Sequence, residues 1–139
     1  IEVSVLGNDD PLASVAGEVV PRRQFYDYVA KYMSDDSELI IPADITEVQM
    51  AQVQELATAA FRATDCSGMA RIDFLLDKVS GELWLNELNT IPGFTEISMY
   101  PKLWEASGLS YTKLIDRLIE LALERKTDRD KTKRKYQPG

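Results

Sequence analysis

Histidine is absent from this chain of 139 residues, and cysteine occurs once, at Cys66. The most common acid–base side chain and the most common zinc ligand are therefore missing. A single cysteine excludes an internal disulfide and fits a reducing compartment. No apolar run approaches the ~20 residues of a membrane-spanning helix, so we expect no membrane partner. Any chemistry must use carboxylates, amides, lysine, arginine and backbone groups.

Charge is distributed unevenly along the chain. The net charge is −7, yet residues 125–139 hold seven Lys and Arg against two Asp. The acidic body argues against a nucleic-acid partner. The end, "RKTDRDKTKRKYQPG", could bind RNA or anionic lipid, but a solvated tail is favoured. We expect residues 126–139 to form a basic, disordered tail.

The length suits one domain with its own core. The first residues, "IEVSV", alternate apolar and polar side chains without a starting Met or a leader. This pattern predicts that the chain begins inside a strand of a longer protein. We therefore expect residues 1–125 to be part of a larger domain, with the preceding part of the same protein as a partner.

Strand and helix signals are mixed, which predicts an α+β fold with helices packed on a mainly antiparallel sheet. Thr46 and Gln49 form a capping-box pattern that starts a helix running to about Thr64. Residues 22–39 have no clear period and are interpreted as a structured loop. The other expected elements are strands at 1–6 and 15–20, a hairpin over 70–89 that turns at 77–81, and helices at about 98–108 and from 110 onward.

The hairpin carries the strongest chemical signal. Side chains alternate along a strand, so Arg71 and Asp73 share one face, as do Glu87 and Asn89 on the returning strand. A turn near 79–81 places residue 73 opposite residue 87 or one step from it. Asp73, Glu87 and Asn89 could then surround one Mg²⁺ ion that also binds nucleotide phosphates. The alternative is a solvated sheet face on which Arg71 pairs with the carboxylates.

A polar turn, "TIPGFTEIS", follows this hairpin directly. Glycine after proline lets backbone N–H groups approach a ligand closely, and such donors can stabilise an oxyanion. For Gly93 alone, a plain Pro-Gly turn is the competing interpretation.

These segments resemble a known family. "ARIDFLLDKVSGELWLNELNTIPGFTEISMYPKLW", with "FYDYVAKY" before it and "LIDRLIELA" after it, closely resembles the carboxyl-terminal half of the ATP-grasp domain of D-alanine–D-alanine ligases. The resemblance covers residues 1 to about 125. It implies ATP-dependent joining of two D-alanines to D-alanyl-D-alanine through an acyl phosphate, for peptidoglycan synthesis and cell wall biogenesis in the cytoplasm.

The resemblance also implies a role for each matching residue of the hairpin. Asp73, Glu87 and Asn89 would hold two Mg²⁺ or Mn²⁺ ions that bridge the ATP phosphates. Arg71 would neutralise charge on the transferred phosphoryl group and on the tetrahedral intermediate. The N–H of Gly93 would join Arg71 in the oxyanion site.

Two further sites follow from the same resemblance. Ser98 and the N–H of Met99, at a helix start, would bind the carboxylate of the second D-alanine. Lys31 would reach the γ-phosphate from a lid. Tyr32 would close a hydrogen-bond network over the active site that helps to select an amine as the nucleophile. With Glu87 of the hairpin, these two residues would form part of the ATP site.

The lid segment departs from the family at one position and has a plainer interpretation. Val29 stands where a Glu is common in the family, and it is not one of the expected metal ligands. Tyr26, Tyr28 and Tyr32 could instead form an aromatic core stripe, and their spacing of two also suits a strand.

The family's glycine-rich phosphate loop and its adenosine clamp should lie before Ile1, and family members are commonly homodimers. The alternatives are a D-alanine–D-lactate or D-alanine–D-serine ligase, or a non-catalytic module that binds Mg²⁺ and nucleotide.

We expect the 139-residue chain to have little or no ligase activity by itself, because half of the nucleotide site would lack walls. A phosphate-release assay with ATP and D-alanine measures this. Near-normal turnover would contradict the expectation.

Overall fold

The computed structural model of the protein describes residues 1–21 and 37–131. Five strands and three helices lie within this part of the chain, which confirms the α+β fold. The strands are β1 (Glu2–Gly7), β2 (Leu12–Pro21), β3 (Ser37–Ile40), β4 (Gly68–Leu76) and β5 (Leu83–Asn89); the helices are α1 (Glu47–Ala63), α2 (Met99–Ala106) and α3 (Tyr111–Lys131).

All five strands join one antiparallel sheet in the order β3-β2-β1-β4-β5. β1 therefore lies at the centre, between β2 and β4, and β5 lies at one edge. The two strands that carry most of the candidate site, β4 and β5, are direct neighbours.

The main core lies between one face of the sheet and α1. Val3, Val5 and Ile72 project from this face and are fully buried. They pack in one cluster with Phe61 and other apolar side chains of α1, because alternate residues of a strand share a face and α1 presents an apolar stripe. The capping box at Thr46 is present as predicted: its hydroxyl accepts from the N–H of Gln49.

The opposite face is covered by α2 and α3 over only part of its area. Leu6 packs there with Tyr100, Trp104 and apolar residues of α3. α2 approaches β2 closely at Gly17, where an added Cβ would lie 2.9 Å from a methyl carbon of Leu103. The part of this face near Glu2 is left to polar side chains.

Tyr100 connects α2 to the central strand with hydrogen bonds at both ends of the residue. Its hydroxyl donates to the carbonyl oxygen of Val5 at 2.9 Å, and its own carbonyl accepts from the hydroxyl of Ser4 at 3.2 Å. Burial raises the pKa of the Tyr100 hydroxyl. Tyr100 therefore remains a neutral donor, and it fixes the position of α2 on the sheet.

The sequence-based boundaries differ from the structure in three places. β3 forms at Ser37–Ile40 and overlaps the end of the expected loop, because it pairs with β2, a partner distant in the chain. β2 begins at Leu12 rather than at residue 15, since Leu12 pairs with Leu6 of β1. α3 continues to Lys131, so the first residues of the expected tail, 126–131, are helical.

Two ion pairs connect residues of the last turns of α3. Lys126 pairs with Asp130 and Lys131 pairs with Asp128, at spacings that bring side chains together on a helix. Residues 132–139 lie outside the described part of the chain. No helix in residues 1–21 and 37–131 has both the length and the apolar character required to span a bilayer.

Tyr100→Phe should lower the free energy of unfolding by about 1 to 2 kcal/mol, because a buried donor is lost where water cannot replace it. Tyr111→Phe is the matched control, since the Tyr111 hydroxyl donates to the carbonyl of Phe94 at 3.0 Å in a partly exposed position. Urea unfolding of both variants measures the difference. An equal loss in the two variants would show that burial of the Tyr100 bond is not the cause.

Candidate functional site

Four polar residues of β4 and β5 form two cross-strand pairs on the open face of the sheet. Asp73 lies opposite Glu87, and Arg71 lies opposite Asn89. The structure therefore confirms the register predicted for the hairpin. Opposed side chains of neighbouring strands are close enough to share a ligand.

A bulge in β5 creates this register. Asp73 pairs with Glu87, but the next residue, Phe74, pairs with Leu85, so Asn86 has no counterpart on β4. If the pairing of Phe74 with Leu85 continued without the bulge, Asn86 would lie opposite Asp73. The extra residue therefore places a carboxylate opposite Asp73 where an amide would otherwise lie.

A fifth polar residue, Glu2, belongs to the same surface and was not predicted. Its register partner on the neighbouring strand is Asp73, so Glu2, Asp73 and Glu87 form a row across β1, β4 and β5. The alternation of "IEVSV" contained the signal: with Val3 and Val5 in the core, Glu2 must face the other way.

Arg71 lies between two of these carboxylates. Its Nε and Nη2 donate to the two carboxylate oxygens of Asp73, each at 2.8 Å. Its Nε is also 3.1 Å from Oε2 of Glu2. The side chains of Arg71, Asp73 and Glu2 are only 21%, 14% and 16% exposed. The pairing expected for a plain sheet face is therefore present, but on a largely buried cluster rather than a solvated one.

The electrostatics of the cluster follow from this geometry. The bond to Asp73 raises the pKa of Arg71, so the guanidinium remains charged. Burial raises the pKa of the Glu2 carboxyl, the charge of Arg71 opposes that shift, and the charges of Asp73 and Glu87 add to it. The three carboxylates therefore repel one another, and Arg71 offsets part of that repulsion.

The side-chain oxygens of the hairpin are ligands of the kind that hard divalent cations bind. Asp73 and Glu87 supply carboxylates, and Asn89 supplies an amide oxygen that the N–H of Ile91 orients at 3.1 Å. That carbonyl oxygen keeps a second lone pair for a ligand. In the described ranges, no group of three or more histidine, cysteine, aspartate or glutamate side chains is arranged to hold a metal. Two carboxylates and an amide fit Mg²⁺ when phosphate oxygens and water complete the coordination.

The loop after β5 brings Gly93 and Ser98 together. A Cβ added at Gly93 would lie 3.0 Å from the hydroxyl oxygen of Ser98. Ser98 precedes α2, yet its side chain makes no capping bond within this helix end. Instead its Oγ accepts from the N–H of Thr95 at 3.0 Å and lies 2.8 Å from the Thr95 hydroxyl. Met99 follows Ser98 as the first residue of α2, and its side chain is buried.

Phe94 anchors the loop to the helices. Its ring centroid is 5.9 Å from that of Tyr100 and 5.5 Å from that of Tyr111. The Tyr111 hydroxyl donates to the Phe94 carbonyl. Because Gly93 precedes this anchor, its backbone position is fixed by the packing of its neighbour. The predicted lid residues Lys31 and Tyr32 lie outside the described residues.

Comparison with known proteins gives consistent matches. A family model described as "D-ala D-ala ligase C-terminus" matches residues 1–120. D-alanine–D-alanine ligase B of Clostridium tetani is 60% identical over 126 residues, which cover 91% of this chain and 35% of that protein. D-alanine–D-alanine ligase of Heliobacterium modesticaldum is 62% identical over 125 residues, covering 90% and 34%. The chain thus spans about a third of the length of these relatives.

Two solved structures resemble the fold closely. The D-alanine–D-alanine ligase from Coxiella burnetii matches with a TM-score of 0.81 and 43% identity, covering 94% of this chain and 33% of that one. The VanG D-Ala:D-Ser ligase from Enterococcus faecalis matches with a TM-score of 0.77 and 38% identity, covering 86% and 35%.

Glu2→Gln should change how stability depends on pH. The pKa of Glu2 is raised in the folded state above its ordinary value of 4.5, so the folded state binds the proton more tightly than the unfolded state does. The resulting stabilisation is complete below pH 4.5 and is lost as the pH rises through the folded-state pKa. Relative to Glu2→Gln, the original chain should therefore lose stability as the pH rises above 4.5. Thermal unfolding of both proteins from acid to neutral pH measures this. A constant difference in Tm between them would contradict the prediction.

Proposed function

The chain belongs to the D-alanine–D-alanine ligase family, as its carboxyl-terminal part, and on that premise we propose that the whole protein joins two D-alanines with ATP. The product would be D-alanyl-D-alanine for peptidoglycan, made in the cytoplasm. The observation that carries the proposal is the largely buried cluster of Arg71 with Asp73 and Glu2 on the open face of the sheet, in register with Glu87 and Asn89.

The proposed reaction has two steps. A carboxylate oxygen of the first D-alanine attacks the γ-phosphorus of ATP, and ADP leaves. The amine of the second D-alanine then attacks the carbonyl carbon of this acyl phosphate, inorganic phosphate leaves, and the amine loses a proton. Both steps move negative charge onto oxygen atoms, so the protein's main task is to hold positive charge and hydrogen-bond donors at those atoms.

Asp73, Glu87 and Asn89 would hold two Mg²⁺ or Mn²⁺ ions. Bound ions of this kind would neutralise phosphate charge and orient the nucleotide. The oxygen-only donor set and the paired register of Asp73 with Glu87 support this assignment.

Arg71 would place its guanidinium against the transferred phosphoryl group and the oxygen of the tetrahedral intermediate. Its planar fork already binds both oxygens of a carboxylate, Asp73, at 2.8 Å. A phosphoryl group presents oxygens that the same fork can bind, and the charge of Arg71 does not titrate near neutral pH.

Gly93, Ser98 and Met99 would receive the acyl oxygen and the carboxylate of the second D-alanine. The N–H of Gly93 would serve the oxyanion, and the Ser98 hydroxyl with the N–H of Met99 would bind the carboxylate. The close approach of Ser98 to Gly93 supports a shared role. The Ser98 hydroxyl oxygen accepts from the N–H of Thr95. If the Thr95 hydroxyl also donates to it, the hydroxyl proton of Ser98 is left to bind a ligand.

Lys31 and Tyr32 would complete the ATP site from the lid, and their presence favours an amine as the nucleophile. A D-alanine–D-serine ligase is the second candidate, because the VanG D-Ala:D-Ser ligase matches the fold at 38% identity. Product analysis of the whole protein with mixed acceptors separates the two. We further propose that the whole protein is a homodimer and that its preceding part supplies the remaining walls of the ATP site.

Glu87→Gln should weaken binding of Mg²⁺ with ATP to the chain by about tenfold or more, since one of two carboxylate ligands is lost. Titration calorimetry of the 139-residue chain measures the change. Glu82→Gln is the matched control, because Glu82 is an exposed residue next to the turn of the same hairpin and loses the same charge. Equal binding by the two variants would argue against the metal assignment.

A further inference from the structure

The two carboxylates near Arg71 have different roles in the arrangement. Asp73 gives both oxygens to Arg71 and is also a proposed cation ligand. Glu2 lies on β1, on the side of β4 away from Glu87 and Asn89. Its Oε2 is buried 3.1 Å from Nε of Arg71, yet it has no hydrogen-bond partner within the described ranges.

A divalent cation bound at Asp73 would weaken the hold of Asp73 on Arg71. Both of its oxygens already accept from the guanidinium. Each oxygen keeps a second lone pair that a cation could use, and a cation bound there would neutralise the charge that attracts Arg71. Arg71 would then need a second acceptor to keep its position, because a long side chain loses order when its partner leaves.

We propose that Glu2 is a positioning residue that retains the Arg71 guanidinium when Asp73 turns to a cation; this inference rests on the proposed function. Glu2 accepts the Nε–H of Arg71 as Asp73 releases it. The charge of Arg71 thereby remains over the face of the sheet where the phosphoryl group is transferred.

The position of Glu2 suits this task. β1 is the central strand, and its neighbouring residues Val3 and Val5 are fully buried, so the backbone that carries Glu2 is held firmly. The acceptor oxygen is already within hydrogen-bond distance of Nε, and only the direction of the N–H must change. A solely structural role explains the arrangement poorly, because a buried acceptor without a hydrogen bond costs stability.

The decisive experiment observes the Nε–H of Arg71 by NMR in the 139-residue chain, with the signal assigned from Arg71→Lys. Asp73→Asn imitates an Asp73 whose charge has been neutralised. In Asp73→Asn the Arg71 signal should persist, because Glu2 accepts its hydrogen bond. Adding Glu2→Gln to that variant should accelerate hydrogen exchange at Nε by about tenfold or more. The same comparison, with and without Glu2→Gln, can be made in Asp73→Ser, which also lacks the charge of Asp73.

The matched control is Glu18→Gln in the Asp73→Asn background. Glu18 is another largely buried carboxylate, but its partner is Lys78 at 2.9 Å. This change should leave exchange at Arg71 unaltered, and so separates the effect of Glu2 from a general loss of negative charge. Loss of the Arg71 signal in Asp73→Asn alone, or an equal effect of the Glu18 and Glu2 changes, would overturn the inference.

A second arm adds Mg²⁺ to the original chain and to Glu2→Gln. The Arg71 signal should survive Mg²⁺ in the original chain, whereas its exchange should become about tenfold faster in Glu2→Gln. Survival of the signal in Glu2→Gln with Mg²⁺ bound would overturn the inference. If the original chain bound no Mg²⁺, the proposed metal site would fail, and the Asp73→Asn comparison would still decide the role of Glu2.

Discussion

β4 pairs with β1 on one side and with β5 on the other, and the rest of the site depends on this arrangement. Asp73 has Glu2 beside it on β1 and Glu87 beside it on β5, so three acidic side chains lie in one row across the sheet. Such a row is unfavourable unless positive charge is nearby. Arg71 supplies that charge from the same strand as Asp73, and its contacts with Asp73 and Glu2 are the main electrostatic stabilisation of the row.

The two faces of the sheet show how such a charged surface is supported. On one face, α1 packs against Val3, Val5 and Ile72 and provides the apolar core. On the other face, Tyr100 attaches α2 over only part of the sheet, and the remaining part carries the polar row. Because the cost of the charged row is offset by burial on the opposite face, the fold can keep an open polar surface on strands that are otherwise well packed.

Local signals in the sequence predicted a large part of the fold and of the site. The capping box at Thr46 and the turn at 77–81 depend on residues close together in the chain, and both were predicted correctly. The register of Asp73 with Glu87 followed from the position of that turn. The functional roles of Arg71, Gly93 and Ser98 came from family resemblance rather than from residue spacing, and they remain predictions.

What the sequence did not predict depends on partners far away in the chain. β3 is four residues long and exists because β2 accepts it, so its own residues carry little signal. The role of Glu2 cannot be predicted locally, because it arises from contact with Arg71 on a strand many residues later in the chain. The length of α3 was underestimated because the basic composition of residues 125–139 outweighed the helical spacing of its ion pairs.

The bulge at Asn86 makes the spacing between Asp73 and Glu87 as important as their identities. A one-residue insertion or deletion in β5 would shift its register against β4. Side chains that now face the core would then face the open side of the sheet, or an amide would replace Glu87 opposite Asp73. Homologous hairpins are therefore expected to vary in length by changes within the turn. An alignment gap placed inside β5 would pair the wrong side chains even where every residue letter matched.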